Sequence, residues 1–150
     1  MLNYSSLPSA IKDFLTQKFT IPVEEGKYGE MPSVVPCIWI YIEPARNAAT
    51  AANHYPVARR AKITFFAMES AIDNKTEAAN KSVELIEQVE SFIFSQEFSD
   101  YINTHTNNVN QNFTTIKYTD SDQPLNFDAI YSDMAVSFLE IWIDYAKATP

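Results

Sequence analysis

The stretch of sequence that decides the fold is ARRAKITFFAME, residues 58–69. Within it, the residues Ala61, Ile63, Phe65 and Ala67 alternate with Arg60, Lys62, Thr64 and Phe66. An alternation with a period of two places one set of side chains on each face of a β-strand. The pattern therefore predicts a half-buried strand.

Three further segments have the composition of strands. Residues 37–42, CIWIYI, form a continuous apolar run, which is typical of a strand buried on both faces. Residues 113–119 alternate and are rich in residues that favour strands. Residues 129–146 predict one long final strand, with Val136, Phe138 and Trp142 on one face and Ser137, Leu139, Ile141, Ile143 and Tyr145 on the other. A strand that is apolar on both faces is either central in its sheet or covered by another subunit.

Two amphipathic segments predict helices. The first helix ends near Phe19, and the second runs from an N-cap at Asn74 to about Ser95, with Glu77 as the capping-box partner. The element order is therefore α-β-β-α-β-β. It predicts a single α+β domain over residues 1–150, in which two helices pack on one face of a mixed or antiparallel sheet of about four strands.

The composition of the chain argues against several functional classes. Its formal charge is −8, and an acidic surface repels phosphate, so specific nucleic-acid binding is not expected. Gly26 and Gly29 are the only glycines, which leaves no glycine-rich loop for a nucleotide phosphate. No apolar run approaches the roughly 20 residues that cross a bilayer, and no signal peptide is evident at the N-terminus. We therefore expect a soluble protein of the cytoplasm, with no membrane partner.

Residues that could perform chemistry are present but scattered. Cys37 is the only cysteine and lies in an apolar run, so we expect a small buried hydrophobe. His54 and His105 have no neighbours at ligand spacing, which argues against a zinc site. Glu84 and Glu87 fall on the polar side of the second helix and are expected to face solvent. The sequence therefore nominates no catalytic residue, no metal ligand and no cofactor site, and we do not expect an enzyme.

Residues 43–62 lie between the first two predicted strands and hold all three arginines of the chain. The segment contains one acid and four bases, whereas residues 63–150 carry a net charge of −10. A basic arm on an acidic body is the pattern expected when the arm of one copy docks on the next copy, and head-to-tail contacts of this kind produce rings or filaments. The interface residues of this hypothesis are Arg46, His54, Arg59 and Arg60. The alternative is a surface arm that contacts only water.

The layout of the chain also resembles a known family. The resemblance is carried by the strand-arm-strand unit with RRAKITFFAM, the helix TEAANKSVELIEQVESFI and the late segment IYSDMAVSFLEIWID. Together they are similar to the tail-terminator proteins (tail-completion or minor tail proteins) of long-tailed bacteriophages and prophage tail-like particles. The resemblance implies a structural virion protein, assembled in the host cytoplasm as a homo-oligomeric ring, commonly a hexamer. Such a ring would cap the tail tube and join it to the head connector, so its partners would be itself, the tail-tube protein and head-connector proteins.

Two other classes of function stay open on the sequence. A cytoplasmic adaptor domain would bind a small ligand or a peptide in a pocket of the sheet without catalysis, and ligand would raise its melting temperature. An enzyme with an active site assembled from distant residues would show a concave pocket that holds a titratable group with a perturbed pKa.

Overall fold

The computed structural model describes residues 7–26, 34–43, 46–48, 58–105, 114–118, 126–131 and 134–146. In these ranges the chain forms three helices and seven strands. In chain order they are α1 (Leu7–Lys18), β1 (Val23–Glu25), β2 (Cys37–Ile42), β3 (Arg46–Ala48), β4 (Ala58–Ser70), α2 (Lys75–Ile93), α3 (Gln96–His105), β5 (Thr114–Tyr118), β6 (Asn126–Tyr131) and β7 (Met134–Ala146). The predicted α+β class is confirmed, and the four predicted strands correspond to β2, β4, β5 and β7.

The strands of the described residues form one mixed sheet. Its order is β1-β2-β4-β7-β5, with β3 pairing with β4 and β6 pairing with β7. The β1–β2 pair is parallel, and the other pairs are antiparallel. The two central strands, β4 and β7, pair along all 13 residues of each. Because both are flanked by other strands, the apolar character of β7 on both faces reflects a central position in the sheet.

The three helices of the described residues pack on one face of the sheet. The buried cluster on this face contains Leu7, Ala10, Ile11, Phe14 and Leu15 of α1, Leu85, Ile86, Val89 and Ile93 of α2, Phe98 and Ile102 of α3, and Val23, Ile38, Ile40, Ala61, Ile63, Phe65, Ala67, Leu139, Ile141 and Ile143 of the sheet. Full burial of such an aliphatic or aromatic side chain contributes about 1.5–3 kcal/mol. The apolar set of the 58–69 alternation lies in this cluster, so the predicted division of β4 into two faces is confirmed.

Helix α2 begins where its sequence predicts. The Asn74 Oδ1 atom accepts a hydrogen bond from the Glu77 backbone N–H at 3.0 Å, and the Glu77 carboxylate lies 3.0 Å from Lys81 Nζ. On the buried side of the helix, the Ser82 hydroxyl forms a hydrogen bond of 2.8 Å with the Ser137 hydroxyl of β7. This bond satisfies the buried Ser137 hydroxyl, and the Ser82 hydroxyl also donates to the Ala79 carbonyl oxygen at 2.8 Å.

The prediction of one strand over residues 129–146 was wrong. The segment contains the end of β6 and all of β7, which pair antiparallel with Tyr131 opposite Met134. The two residues between them in the sequence, Ser132 and Asp133, are of types that favour turns, and the apolar alternation on either side obscured this signal. The structure also has a third helix, α3, after α2 and a short strand, β1, before β2.

Candidate functional site: the aromatic face of the sheet

The face of the sheet opposite the helices carries aromatic and charged side chains. We call it the aromatic face, and its residues are Trp39 and Tyr41 of β2, Arg60, Lys62, Thr64 and Phe66 of β4, and Phe138, Glu140 and Trp142 of β7. The strand register places Phe66 between Trp39 and Phe138. Helices α1, α2 and α3 bury their apolar residues on the other face. The aromatic face is therefore the candidate for contact with a ligand or a partner.

One end of the aromatic face is a compact apolar cluster. It consists of the buried residues Cys37, Trp39, Met68 and Val136, with Val35, Phe66 and Met134 packed against it. Burial, together with the nearby carboxylates of Glu24 and Glu69, raises the pKa of the Cys37 thiol to about 11. The thiol is therefore protonated at neutral pH and is a poor nucleophile. The prediction that Cys37 is a small buried hydrophobe is confirmed.

The position of Trp39 depends on a close approach of the backbone at Gly26. The Gly26 N–H donates a hydrogen bond to the Ile40 carbonyl oxygen at 2.8 Å, which extends the β1–β2 pairing. A Cβ atom added at Gly26 would lie 1.5 Å from the Trp39 Nε1 atom, so no side chain fits there unless the indole moves. The Trp39 Nε1 atom is itself buried and has no hydrogen-bond partner among the residues that the structure describes. Because Gly26 has no side chain, it leaves the space that the Trp39 indole occupies in the apolar cluster.

A pocket of about 310 Å³ opens in the middle of the aromatic face. Its lining residues are Tyr41, Glu43, Thr64, Phe66, Phe138 and Glu140. The Phe66 and Phe138 rings have centroids 6.1 Å apart and are tilted by 39°. Three aromatic walls suit an apolar or aromatic group, because a further ring can pack against them edge to face.

Lys62 lies beside this pocket and bridges two of its carboxylates. The Lys62 Nζ atom is 3.8 Å from a carboxylate oxygen of Glu43 and 3.6 Å from one of Glu140. Ion pairs of this length between partly exposed groups stabilise a fold by less than about 1 kcal/mol. Their main effect at this site is to reduce the negative charge at the edge of the pocket.

The structure describes three of the four predicted interface residues, and their role in an interface stays a prediction. Arg46 and Arg60 are direct partners in the β3–β4 register, and the Arg60 guanidinium carbon lies 5.2 Å from the centre of the Trp142 ring, as in a cation–π contact. Arg59 is the register partner of Asn47 of β3. His54 lies outside the described residues. The described parts of the segment 43–62 include β3 and the first residues of β4.

Sequence reasoning missed the pocket and its aromatic lining. In the sequence, Tyr41, Phe66 and Phe138 are recognisable only as members of predicted strands. One signal in the sequence could have indicated the pocket. In each predicted strand, the residues that alternate with the core-facing ones include aromatic residues. Which of these aromatic residues are neighbours depends on the register between strands that are distant in the sequence.

Two comparisons with known proteins bear on the family of this chain. A scan against protein-family models finds no matching family, and a search of curated proteins finds no match. Within the described ranges, no group of three or more His, Cys, Asp or Glu residues is placed to hold a metal ion. The helices that the structure describes include none that is long and apolar enough to span a membrane.

Proposed function

We propose that this chain is a ring-forming tail terminator of a long-tailed phage or prophage, which caps the tail tube and joins it to the head connector. The observation that supports the proposal is the aromatic face. Its tryptophan, tyrosine, phenylalanine and arginine side chains are of the types that dominate the binding energy of protein–protein interfaces. The similarity of layout to tail terminators is the reason for choosing this class among proteins that assemble.

The dimensions of the aromatic face favour a polypeptide partner. From Arg60 to Met68 the face follows nine residues of β4, or roughly 26 Å at the usual rise of a strand. Along this length the side chains of the face are apolar at one end, aromatic in the middle and charged at the other end. A partner that covers all of them must itself be an extended surface, such as a helix or a second domain.

A tail terminator acts by binding and needs no chemical step. A ring of identical subunits uses two different surfaces of each subunit, so that every copy contacts the next one and the rotation closes. The ring then occupies the end of the tail tube and presents its opposite side to the head connector. The partners in this proposal are other copies of the chain, commonly six in the family that it resembles, together with the tail-tube and connector proteins.

The oligomeric state of the purified chain tests this proposal. Light scattering coupled to size exclusion, over a series of protein concentrations at low and high salt, should show a discrete oligomer that electron microscopy images as a ring. When the protein is added to polymerising tail-tube protein, tube growth should stop. A protein that stays monomeric and leaves tube growth unchanged would overturn the proposal.

The pocket on the aromatic face favours a second candidate function, that of an adaptor domain. Its volume of about 310 Å³ is at the lower end of the range for small-molecule sites. An adaptor would remain a monomer or a dimer, and a ligand would raise its melting temperature in a saturable manner. Replacement of Phe66 with Asp, in the wall of the pocket, should abolish that shift, whereas a shift that persists would exclude this pocket as the site.

A further inference from the structure

We propose that the pocket on the aromatic face binds an uncharged aromatic compound of one or two fused rings, whose hydroxyl or N–H group pairs with the Thr64 hydroxyl. This inference rests on the second candidate function, because it concerns the same pocket. It deepens that function by naming the class of ligand and the residue that selects it, and it does not depend on the ring proposal.

The pocket exists because Thr64 is a short residue among long ones. In the strand register, Thr64 lies between Tyr41 of β2 and Glu140 of β7. Along β4, the next residues on the same face are Lys62 and Phe66, two positions away in each direction. A threonine side chain ends well below the tips of these four neighbours. The face therefore has a hollow at this position, and the hollow is the pocket of about 310 Å³.

Thr64 supplies a polar group at the floor of the pocket. The residue is only 6% exposed, so more than nine-tenths of it is buried by its neighbours. Among the residues that the structure describes, none forms a hydrogen bond with the Thr64 hydroxyl. A ligand that displaces water from the pocket leaves this hydroxyl unsatisfied unless it offers a polar group of its own, and an unsatisfied buried hydroxyl is costly. The floor of the pocket therefore selects a ligand with a hydrogen-bonding group at its tip.

The walls of the pocket favour an aromatic ring. Tyr41, Phe66 and Phe138 line it, and the Phe66 and Phe138 rings are tilted by 39° with their centroids 6.1 Å apart. Aromatic rings attract the edge or the face of a further ring at centroid distances of about 4.5–7 Å. An apolar cavity of roughly 150 Å³ accommodates benzene. A pocket of about 310 Å³ therefore admits one substituted ring or two fused rings.

The charged groups at the pocket favour an uncharged ligand. The Lys62 Nζ atom is 3.8 Å from a carboxylate oxygen of Glu43 and 3.6 Å from one of Glu140. A cationic ligand would compete with Lys62 for these carboxylates, and an anionic ligand would meet both carboxylates at short distance. Because these charges are already paired with one another, the ring and its hydrogen-bonding group define the ligand.

Three matched compounds test the class of ligand. Phenol carries the ring and the hydroxyl, toluene replaces the hydroxyl with a methyl group, and cyclohexanol keeps the hydroxyl but is not aromatic. Titrations of the whole chain, followed by the NMR chemical shifts of the β4 amides, should give phenol a dissociation constant at least about threefold below those of the other two. Equal affinities for phenol and cyclohexanol would overturn the preference for an aromatic ring. Tighter binding of benzylamine, which is cationic at neutral pH, would overturn the preference for an uncharged ligand.

Substitutions at Thr64 test its role at the floor. Thr64→Val keeps the shape of the side chain and removes the hydroxyl, so it should weaken phenol binding by about three- to tenfold and leave toluene binding unchanged. Thr64→Leu fills the hollow and should abolish the binding of both compounds. Thr16→Val makes the same change at an exposed position of α1, on the opposite side of the sheet, and should bind like the unmodified chain. Thermal unfolding of each variant, followed by circular dichroism, establishes that the fold is retained.

The possible results separate this inference from both proposed functions. If phenol does not bind, or if Thr64→Val weakens phenol and toluene equally, the inference is overturned. Phenol binding that Phe66→Asp does not affect would place the compound outside the pocket and would also overturn it. The adaptor function stands after such a failure if another ligand gives a saturable thermal shift that Phe66→Asp abolishes. Light scattering decides the ring proposal independently, because none of these titrations depends on assembly.

Discussion

Replacement of Gly26 with Ala should destabilise the protein through a steric conflict with Trp39. The new Cβ would lie 1.5 Å from the Trp39 Nε1 atom and 2.1 Å from Cε2, well inside any real carbon contact. The indole is 8% exposed and belongs to the buried cluster at one end of the aromatic face, so it cannot move aside without disturbing its neighbours. Overpacking of this kind costs about 1–3 kcal/mol, and we expect a loss of that size in the free energy of unfolding.

Urea denaturation followed by circular dichroism measures this loss, and a double-mutant cycle assigns its cause. Trp39→Ala alone removes a large buried side chain and should cost about 3–5 kcal/mol. In that background the conflict is gone, so adding Gly26→Ala should be neutral or should stabilise the fold by about 0.4–1 kcal/mol through the lower entropy of the unfolded chain. If Gly26→Ala costs the same with and without Trp39, the conflict with the indole is not the reason that glycine occupies this position.

Three further predictions concern the fold. Near neutral pH, thiol reagents should modify Cys37 only as fast as the protein unfolds, because burial keeps the thiol protonated and inaccessible. Rapid modification of the native protein would contradict this prediction. Asn74→Ala should reduce the free energy of unfolding by about 1 kcal/mol, whereas Asn74→Ser, which can still cap the helix, should reduce it much less. Equal losses for the two variants in urea titrations would exclude capping as the cause. Burial raises the pKa of Glu69 above its ordinary value of 4.5, so the folded state disfavours the carboxylate, and this destabilisation grows as pH rises from the unfolded to the folded pKa. Glu69→Gln should therefore raise the melting temperature at pH 7 but not in acid below the ordinary range of glutamate, and an equal effect at both pH values would refute the assignment.

The candidate site was predictable only in part. The concentration of arginines in residues 43–62 is visible in the sequence, and it drew attention to Arg60. Its neighbours are not predictable from local patterns, because Trp142 lies on β7 and Arg46 on β3. Arg59 and Arg60 look equivalent in the sequence, but the strand register gives them different partners on β3, Asn47 and Arg46.

The sequence by itself determined the local structure of this protein. Alternation over residues 58–69 determined which side chains of β4 enter the core, and the Asn74 cap determined where α2 begins. These features depend on residues within one or two turns, or within one strand, so a short window contains all the information. The α+β class follows from the order of such elements along the chain.

Only the tertiary structure decided which face of the sheet the described helices cover. The helices could have covered either face of the sheet, and the aromatic face is the one that their apolar sides do not occupy. Residues from different elements meet in the pocket beside Phe66 and Phe138, in the cation–π contact of Arg60 with Trp142, and in the close approach of Gly26 to Trp39. Such contacts are set by strand order and register, which arise from burial over the whole chain rather than from any local pattern.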